Sequence, residues 1–433
     1  MAADDALASA AAVADITPLH ALHYDLDRTG GLAPVVAPPY DVIAAAERAE
    51  LVGRSPYNVV EIDLPEADGD LDPYAHAAAL VSDWKREEIL VRDPQPALWA
   101  LAQDYTGPDG KRYTRKGFFA RVRVEDYGPG RIRPHERTHP GPKEDRLRLT
   151  RATRANLSPI FSLYDDPSGA AWSALSPHTE DVPWGVVTDD DGTQHRIWRV
   201  SDSGAVAAAI DALAQTELLI ADGHHRYETA RVYADEIGGE GEHRYVLMCL
   251  VALQDPGLTV FPTHRLLTAL PDDKRQALRE AIQRDWEMTE IDADDLQPTA
   301  AGDGRIALGY LDAHHRRPLR LTLKDAKIAD AALPDMPEPY RRLDTAVLEA
   351  LILKQALGMS EDDISHLHGL DYARDTAQAR ERVEAGEAEA AFFMSPTPVE
   401  HVRDVAAAGV NMPPKSTYFF PKVLTGELFN PLA

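Results

Sequence analysis

Asp222-Gly223-His224-His225-Arg226 gathers an acid, a glycine, two histidines and an arginine at the point where an apolar stretch gives way to a helical pattern. Thr216 to Ala221 is short and apolar, as a buried strand is. Tyr227, Ala230, Tyr233, Ala234 and Ile237 then recur at helical spacing, and Gly238-Gly239 supplies the stop. Tyr245 to Leu253 is a second apolar run, so the segment reads as a β-α-β unit with its polar turn at the strand's carboxyl end. N–H groups at a helix start favour a phosphate or carboxylate. Gly223 permits close backbone approach, Asp222 is expected to cap the helix, and Arg226 can reach the anion. Adjacent histidines diverge on a helix, so His224 and His225 do not easily share one metal. The same His-His-Arg recurs at His314 to Arg316 in an expected hairpin turn with no helix after it. The tripeptide alone is therefore uninformative; its strand–Asp-Gly–helix setting carries the inference.

A second constellation runs from Arg131 to Arg154. Eight basic residues against three acids give this stretch a charge of +5 inside a chain of net charge −26. Lys143-Glu144-Asp145-Arg146 follows Pro142 and opens an expected helix, on which Arg148, Arg151 and Arg154 form a stripe; Lys143 and Arg146 are further candidate phosphate contacts. Such a stripe suits a multiply charged phosphate ligand; the plainer alternative is a salt-bridged face. Within it, His135-Glu136-Arg137-Thr138-His139 spells the zinc-protease pattern H-E-x-x-H. That pattern needs a helix, and Pro134, Pro140 and Pro142 bracket this one, so the literal zinc reading is rejected. A non-helical loop still presents His135, Glu136, Arg137 and His139 to a ligand, with Glu136 a candidate general base. Pro262-Thr263-His264-Arg265 and Pro413 to Tyr418, which resembles an anion-clasping loop without the glycines of a Walker motif, add His264, Arg265, Lys415 and Ser416 as further candidate ligand contacts. Ala37 to Ile43 and Asn58 to Asp63 read more readily as structural segments.

The elements that must position these residues alternate along the chain, which places it in a mixed α/β class. Ala33 to Val36 and Asn58 to Ile62 are expected as strands, Pro73 to Glu88 as a helix, and Leu98 to Tyr105 with Tyr113 to Val124 as a hairpin. Another hairpin turns at Asp189 to Gly192, and a helix spans Ser201 to Leu213. Beyond the β-α-β unit come a helix burying Ala277, Ala281 and Ile282, and a hairpin of Ile306 to Leu311 with Leu319 to Leu323. Helices at Leu343 to Leu357 and Tyr372 to Ala385, and a strand from Ala390 to Met394, complete the pattern. The expected organisation is a disordered leader over 1–15, an N-terminal region over 16–165 with the arginine-rich loop, a central region over 166–270, and a C-terminal region over 271–433.

With 45 Lys+Arg against 71 Asp+Glu, the chain repels phosphate backbones and anionic lipid, so nucleic acid and membrane surfaces are not expected partners. The single cysteine, Cys249, excludes an intrachain disulfide and a cysteine-built zinc site, and points to a reducing, cytoplasmic compartment. No apolar run approaches the ~20 residues of a membrane helix.

Ala37-Pro38-Pro39-Tyr40-Asp41-Val42, Asn58 to Pro65, Lys116-Gly117-Phe118, His135 to Thr138, Ala221 to Tyr227, Pro262 to Arg265 and Met412 to Pro421 together resemble the family catalogued as domain of unknown function 1015. The Asp-Gly-His-His-Arg turn is also similar to the nucleotide-binding turn of the ParB/sulfiredoxin superfamily, which includes an archaeal ADP-dependent free-serine kinase. That resemblance implies phosphate contacts from Gly223, His224, His225 and Arg226. The leading expectation is a small-molecule phosphate-handling enzyme, with nucleotide-dependent phosphotransfer involving serine or phosphoserine. His224, Glu136 and Asp222 would be catalytic; Mg²⁺ and ADP or ATP would be the cofactors. Two alternatives stand beside it: a non-catalytic nucleotide sensor, and a metal-dependent hydrolase built on a histidine cluster including His135, His139, His224, His225 and His264.

Overall fold

The computed structural model describes residues 14–107, 110–129, 131–136, 140–298 and 304–433. They form a mixed α/β architecture in two compact units. The first holds the described residues within 1–134, 138–259 and 421–433; the second holds those within 135–137 and 260–420.

The first unit is built on a nine-stranded sheet. Its strands are β1 (Ile16–Thr17), β2 (Leu98–Thr106), β3 (Arg112–Arg123), β4 (Ile132–Arg133), β5 (Ile160–Tyr164), β6 (Gly185–Thr188), β7 (Gln194–Val200), β8 (Leu218–Asp222) and β9 (Tyr245–Ala252). They lie in the order β4-β8-β5-β9-β3-β2-β7-β6, with β1 on β3. Both expected hairpins form: β2 pairs with β3 and β6 with β7, each antiparallel. Side chains alternate between the faces. Leu98, Ala100 and Ala102 of β2, Phe118 and Ala120 of β3, and Met248 and Leu250 of β9 share one apolar core with Tyr227 and Ala230 of helix α2 (His224–Ile237). From the opposite face Gln103 and Arg115 project, and Arg115 is buried with its guanidinium 4.5 Å from the Phe161 ring. Burial pushes the Cys249 thiol up to about 12, leaving it an unreactive thiol of the sheet.

Strand, helix and strand follow one another over 218–252 as the periodicity predicts, but the pairing differs from a simple β-α-β crossover. Strand β5 lies between β8 and β9, antiparallel to the first and parallel to the second. The flanking strands therefore run in opposite directions. Apolar periodicity specifies strands without naming their neighbours.

Two expected strands are absent. Val35 and Val36 donate to the Leu32 carbonyl in a turn, and Val60–Asp63 is a short helix. Asn58 decides this: its amide donates to Pro34 O (2.9 Å) and Val36 O (3.2 Å) while its carbonyl oxygen caps Val60 N (3.0 Å), replacing a ladder with side-chain bonds.

The second unit carries a fully antiparallel six-stranded sheet. Its strands are β10 (His264–Leu267), β11 (Trp286–Glu290), β12 (Ala307–Asp312), β13 (Leu319–Leu323), β14 (Leu370–Ala373) and β15 (Ala390–Phe393), in the order β11-β13-β12-β15-β10-β14. Helix α3 (Asp272–Asp285) packs Leu278, Ala281 and Ile282 onto this sheet's core. The helix expected from Tyr372 starts instead at Thr376, because Asp375 accepts from Gln378 N (2.7 Å) as its N-cap and Tyr372 belongs to β14.

Two glycines separate close packing from backbone entropy. A Cβ on Gly309 of β12 would lie 1.8 Å from the Leu296 carbonyl oxygen, a backbone atom, whereas one on Gly53, exposed in the helix Ala45–Arg54, meets nothing within 4 Å. Gly309→Ala is expected to destabilise the protein by at least about 1–3 kcal/mol, and Gly53→Ala to stabilise it by about 0.5–1 kcal/mol. Urea denaturation of the two variants reads both signs.

Candidate functional site

Strand β8 ends in a bulge, its register to β5 shifting between Ile220 and Asp222. The chain then passes through Gly223, whose φ of 95° few other residues accept, and enters α2. The expected cap is corrected here: Gly223 occupies the N-cap position and no side chain caps the helix. Asp222 is engaged otherwise. Its Oδ1 accepts from Gly223 N (2.9 Å) and its Oδ2 from Lys422 Nζ (3.1 Å). Arg226 folds back over Gly223. Its Nη1 donates to Ser158 Oγ (2.8 Å) and to the Pro159 carbonyl, and Ser158 Oγ in turn meets Thr425 Oγ1 (2.9 Å). Among the described residues, Nε makes no hydrogen bond, and the nearest ionic partner of Nη2 is the Asp222 carboxylate at 3.8 Å. Nε and Nη2 are the two donors that grip an oxyanion in parallel. A Cβ at residue 223 would sit 3.0 Å from Nε and 3.2 Å from Nη2. Glycine keeps that edge open. Of the two histidines, His224 is buried and His225 is partly exposed.

Arg146 comes to the same place from helix α1 (Pro140–Thr153). Its Nη1 donates to Asp63 O (2.6 Å) and Asp63 Oδ1 (3.2 Å), its Nη2 to Asp145 Oδ2 (2.6 Å), and its guanidinium lies 4.3 Å from the Tyr40 ring. Arg146, Arg226, Tyr40, Asp63, Ser158 and Thr229 line one cavity of about 40 Å³. That is room for roughly three water-sized groups, the scale of one phosphoryl or carboxylate group. Burial pushes the Tyr40 hydroxyl up to about 12, against the pull of Arg226 and Arg146, so it stays a neutral donor at physiological pH. Two guanidinium groups, a phenol and a serine hydroxyl around so small a space can hold a compact oxyanion.

Two arginines of the stripe are spent on ion pairs. Arg148 pairs with Glu144 at 3.6 Å and Arg151 with Glu236 at 2.5 Å, both exposed, and Arg154 leaves the helix with a φ of 50°. The plainer alternative holds for Arg148 and Arg151. Lys143 lies on the first turns of α1.

A second group of candidate residues belongs to the second unit. His135 is buried, with Nε2 2.8 Å from Thr417 Oγ1 and its ring edge-on to Phe419. Glu136 bridges to Met412, and its Oε1 accepts from Lys415 N (3.3 Å). Arg265 is buried and donates to Thr263 O (2.5 Å) and Pro414 O (3.1 Å). The Ser416 hydroxyl is taken up inside the unit, donating to Pro413 O (2.6 Å) and Thr345 Oγ1 (3.1 Å), while the Lys415 side chain is exposed. The Pro413–Thr417 loop is thus a structural brace around Arg265 and Glu136. Arg137 and His139 lie outside the described residues. Among the described residues, no group of three or more His, Cys, Asp or Glu side chains is placed to hold a metal ion.

A family profile described as a protein of unknown function, DUF1015, matches residues 16–346. The chain belongs to this family. The matched region includes Tyr40, Asp63, Arg146, Ser158 and Arg226 but stops short of Lys422 and Thr425. No curated protein matches the chain. Solved structures similar to it include a conserved hypothetical protein from Pyrococcus furiosus (14% identity, 72% of this chain and 93% of that one, TM-score 0.37). A free serine kinase in complex with AMP is similar at 14% identity over 70% of this chain and 86% of that one, TM-score 0.37. SbnI with a C-terminal truncation, from Staphylococcus aureus, is similar at 10% identity over 71% and 85%, TM-score 0.36. Likeness of this degree carries no argument about activity. No helix among the described residues is long and apolar enough to cross a membrane.

Lys422, Ser158 and Thr425 escaped the sequence reading. A lysine before a valine-leucine run and two isolated hydroxyl residues carry no local signal, and Lys422 stands 200 residues from its partner Asp222. Tyr40 and Asp63 lie within the two segments read as structural, and a buried acid at the end of an apolar stretch is the signal they offered.

His264, a candidate ligand in sequence, is a structural histidine. Its Nδ1 accepts from Met394 N (3.1 Å), which places the ring proton on Nε2, 3.2 Å from Thr376 Oγ1. Burial, then the nearby Arg265 charge, push it from 6.5 down to about 4. Between those values the unfolded chain binds the proton and the folded chain does not, so stability falls as pH falls across this window. The loss attributable to His264 is on the order of 3 kcal/mol. Urea titrations across this range are expected to show a shallower loss in His264→Gln; identical pH slopes for variant and parent would exclude the assignment.

Proposed function

We propose that the first unit binds the phosphate of ADP, ATP or a phosphorylated small metabolite at the Gly223–Arg226 turn, and that the protein moves a phosphoryl group to or from a small hydroxylated metabolite such as serine. The observation that carries this reading is the open Nε/Nη2 edge of Arg226, sharing one cavity with Arg146 and Tyr40 beside a helix start that no side chain caps. Phosphoryl transfer depends chiefly on positioned positive charge, with little covalent chemistry required of the protein. Arg226 and Arg146 hold equatorial oxygens, the Gly223 backbone allows close approach, and His225 lies on the same first helical turn. Lys422, now 3.1 Å from Asp222, is the cation that a phosphate arriving at the turn would draw toward itself. His224, within the turn, is the residue assigned to orient or deprotonate the attacking hydroxyl.

Mg²⁺ fits less well on this turn. Asp222 is the carboxylate expected to hold it, yet both of its oxygens already accept hydrogen bonds, one of them from an ammonium group. Magnesium sites ordinarily use one or two free carboxylates together with phosphate oxygens. The protein's own cations therefore carry the charge neutralisation in this reading. Glu136, expected as a base, instead holds the Lys415 N–H within the second unit.

ADP and ATP are each expected to raise the melting temperature of the protein, and phosphate exchange between ADP and serine to be detectable by phosphorus NMR. Arg226→Ala is expected to weaken nucleotide binding and to lower exchange by about 10²–10³-fold, the scale of losing one preorganised charge-stabilising donor. Gly223→Ala keeps every charge but crowds the Nε/Nη2 edge, and is expected to lower nucleotide affinity at least tenfold. Unchanged nucleotide binding in both variants, with native circular dichroism, sinks the proposal; binding without exchange would leave a nucleotide sensor in place of an enzyme.

A further inference from the structure

The sequence repeats its His-His-Arg tripeptide at His314–Arg316, and there the structure supplies what the sequence does not show. Helix α3 and the sheet of the second unit enclose a cavity of about 370 Å³ against the β12–β13 hairpin. Its inner surface is apolar: Leu278 and Ile282 of α3, Tyr310 of β12 and Leu319 of β13, all part of or packed on the unit's main core. Met288 of β11 completes the wall and stays 48% exposed, an uncovered apolar side chain at the mouth. A volume of this size lies within the ordinary range of small-molecule pockets, which combine apolar walls with a few polar groups.

The charged side chains lining this mouth are Arg275, Arg279 and Arg317, together with the carboxylates of Asp312 and Glu389. Arg275 is held by Asp272 (2.9 Å) and Glu389 (3.3 Å), Arg317 by Glu290 (2.9 Å), and His315 by Asp312 (3.1 Å). Arg279 and His314 also line the cavity, and among the described residues neither makes an ion pair. A cationic group left uncompensated in a chain of net charge −26 stands out. Placed at the open rim of an apolar pocket, it complements an anionic head whose body lies inside.

We infer that this cavity in the second unit is a binding site for a small amphiphilic anion: an unbranched or cyclic apolar body with one terminal carboxylate or phosphate, its body against Leu278, Ile282 and Leu319 and its head at Arg279 and His314. The inference uses no residue of the Asp222–Arg226 turn and stands or falls apart from the phosphotransfer reading.

Calorimetric titration of the full chain with octanoate, octyl phosphate and octyltrimethylammonium tests it, the first two distinguishing the headgroups. Saturable one-to-one binding of either anion, with the cation at least tenfold weaker, is the expected result. Arg279 is an exposed helix residue, so Arg279→Glu leaves the fold intact and is expected to weaken anion binding at least tenfold. Leu319→Trp, which fills the pocket, is expected to abolish binding of all three, while the nucleotide-dependent melting shift persists. Equal affinity for the anions and the cation, no saturable binding of either anion, or undiminished binding in Arg279→Glu overturns the inference.

Discussion

The first unit depends on the return of residues 421–433 across its sheet. Glu427 of this segment is fully buried, with Oε1 3.1 Å from His195 Nδ1, and the other ring nitrogen stands 3.0 Å from Asp189 Oδ2. Burial works against the imidazolium, but the two carboxylates outweigh it and raise the histidine above its ordinary value. Removing one partner of such a buried pair strands a charge, at a cost of about 3–5 kcal/mol. Around this anchor the segment is stitched throughout: Phe429 bridges Leu22, Thr425 bridges Ala37, and Asn430 pairs with Asn156. Gln103 links the anchor to the turn, accepting from Arg115 Nε (2.9 Å) through its carbonyl oxygen and donating to Lys422 O (2.9 Å). Since Lys422 Nζ in turn holds Asp222, the position of the turn is tied to the buried polar layer beneath the sheet.

That layer also explains why two arginines among many matter. Arg226 hydrogen-bonds neutral oxygens, a serine hydroxyl and a proline carbonyl, and its one carboxylate neighbour among the described residues, Asp222, stands off at 3.8 Å. Arg146 is steered by acids but is buried with an aromatic face beside it, where the field is poorly screened. Arg148 and Arg151 meet exposed carboxylates in water and contribute little to binding or stability. Charge count along the chain is therefore a weak guide to anion affinity. Partner chemistry and burial decide it.

Much of the element pattern was legible. The hairpins at 98–123 and 185–200, helix α2 and strands β8 and β9 follow from periodicity and glycine punctuation alone. The failures share a cause. At Asn58 a side chain outcompeted the ladder; at Tyr372 a cap at Asp375 moved a helix start; and β5 entered between two strands adjacent in sequence. Each is a choice between locally comparable alternatives that distant contacts resolve. In the candidate site, Gly223 and Arg226 are legible because a strand, a glycine and a helix start leave a local signature. Lys422, Ser158 and Thr425 leave none.

The sequence by itself determined that an apolar strand ends in Asp-Gly and opens a helix, and that an arginine-rich segment exists elsewhere, because strand and helix signals are written within a few residues of where they act. Only the tertiary structure decided which arginine meets the turn, which are neutralised, and that Asp222 bonds a lysine 200 residues away. The physical reason is range. Hydrogen bonds and ion pairs act over about 3–4 Å in space, and the chain distance between their partners, 83 residues for Arg146 and Asp63, is set by folding of the whole unit.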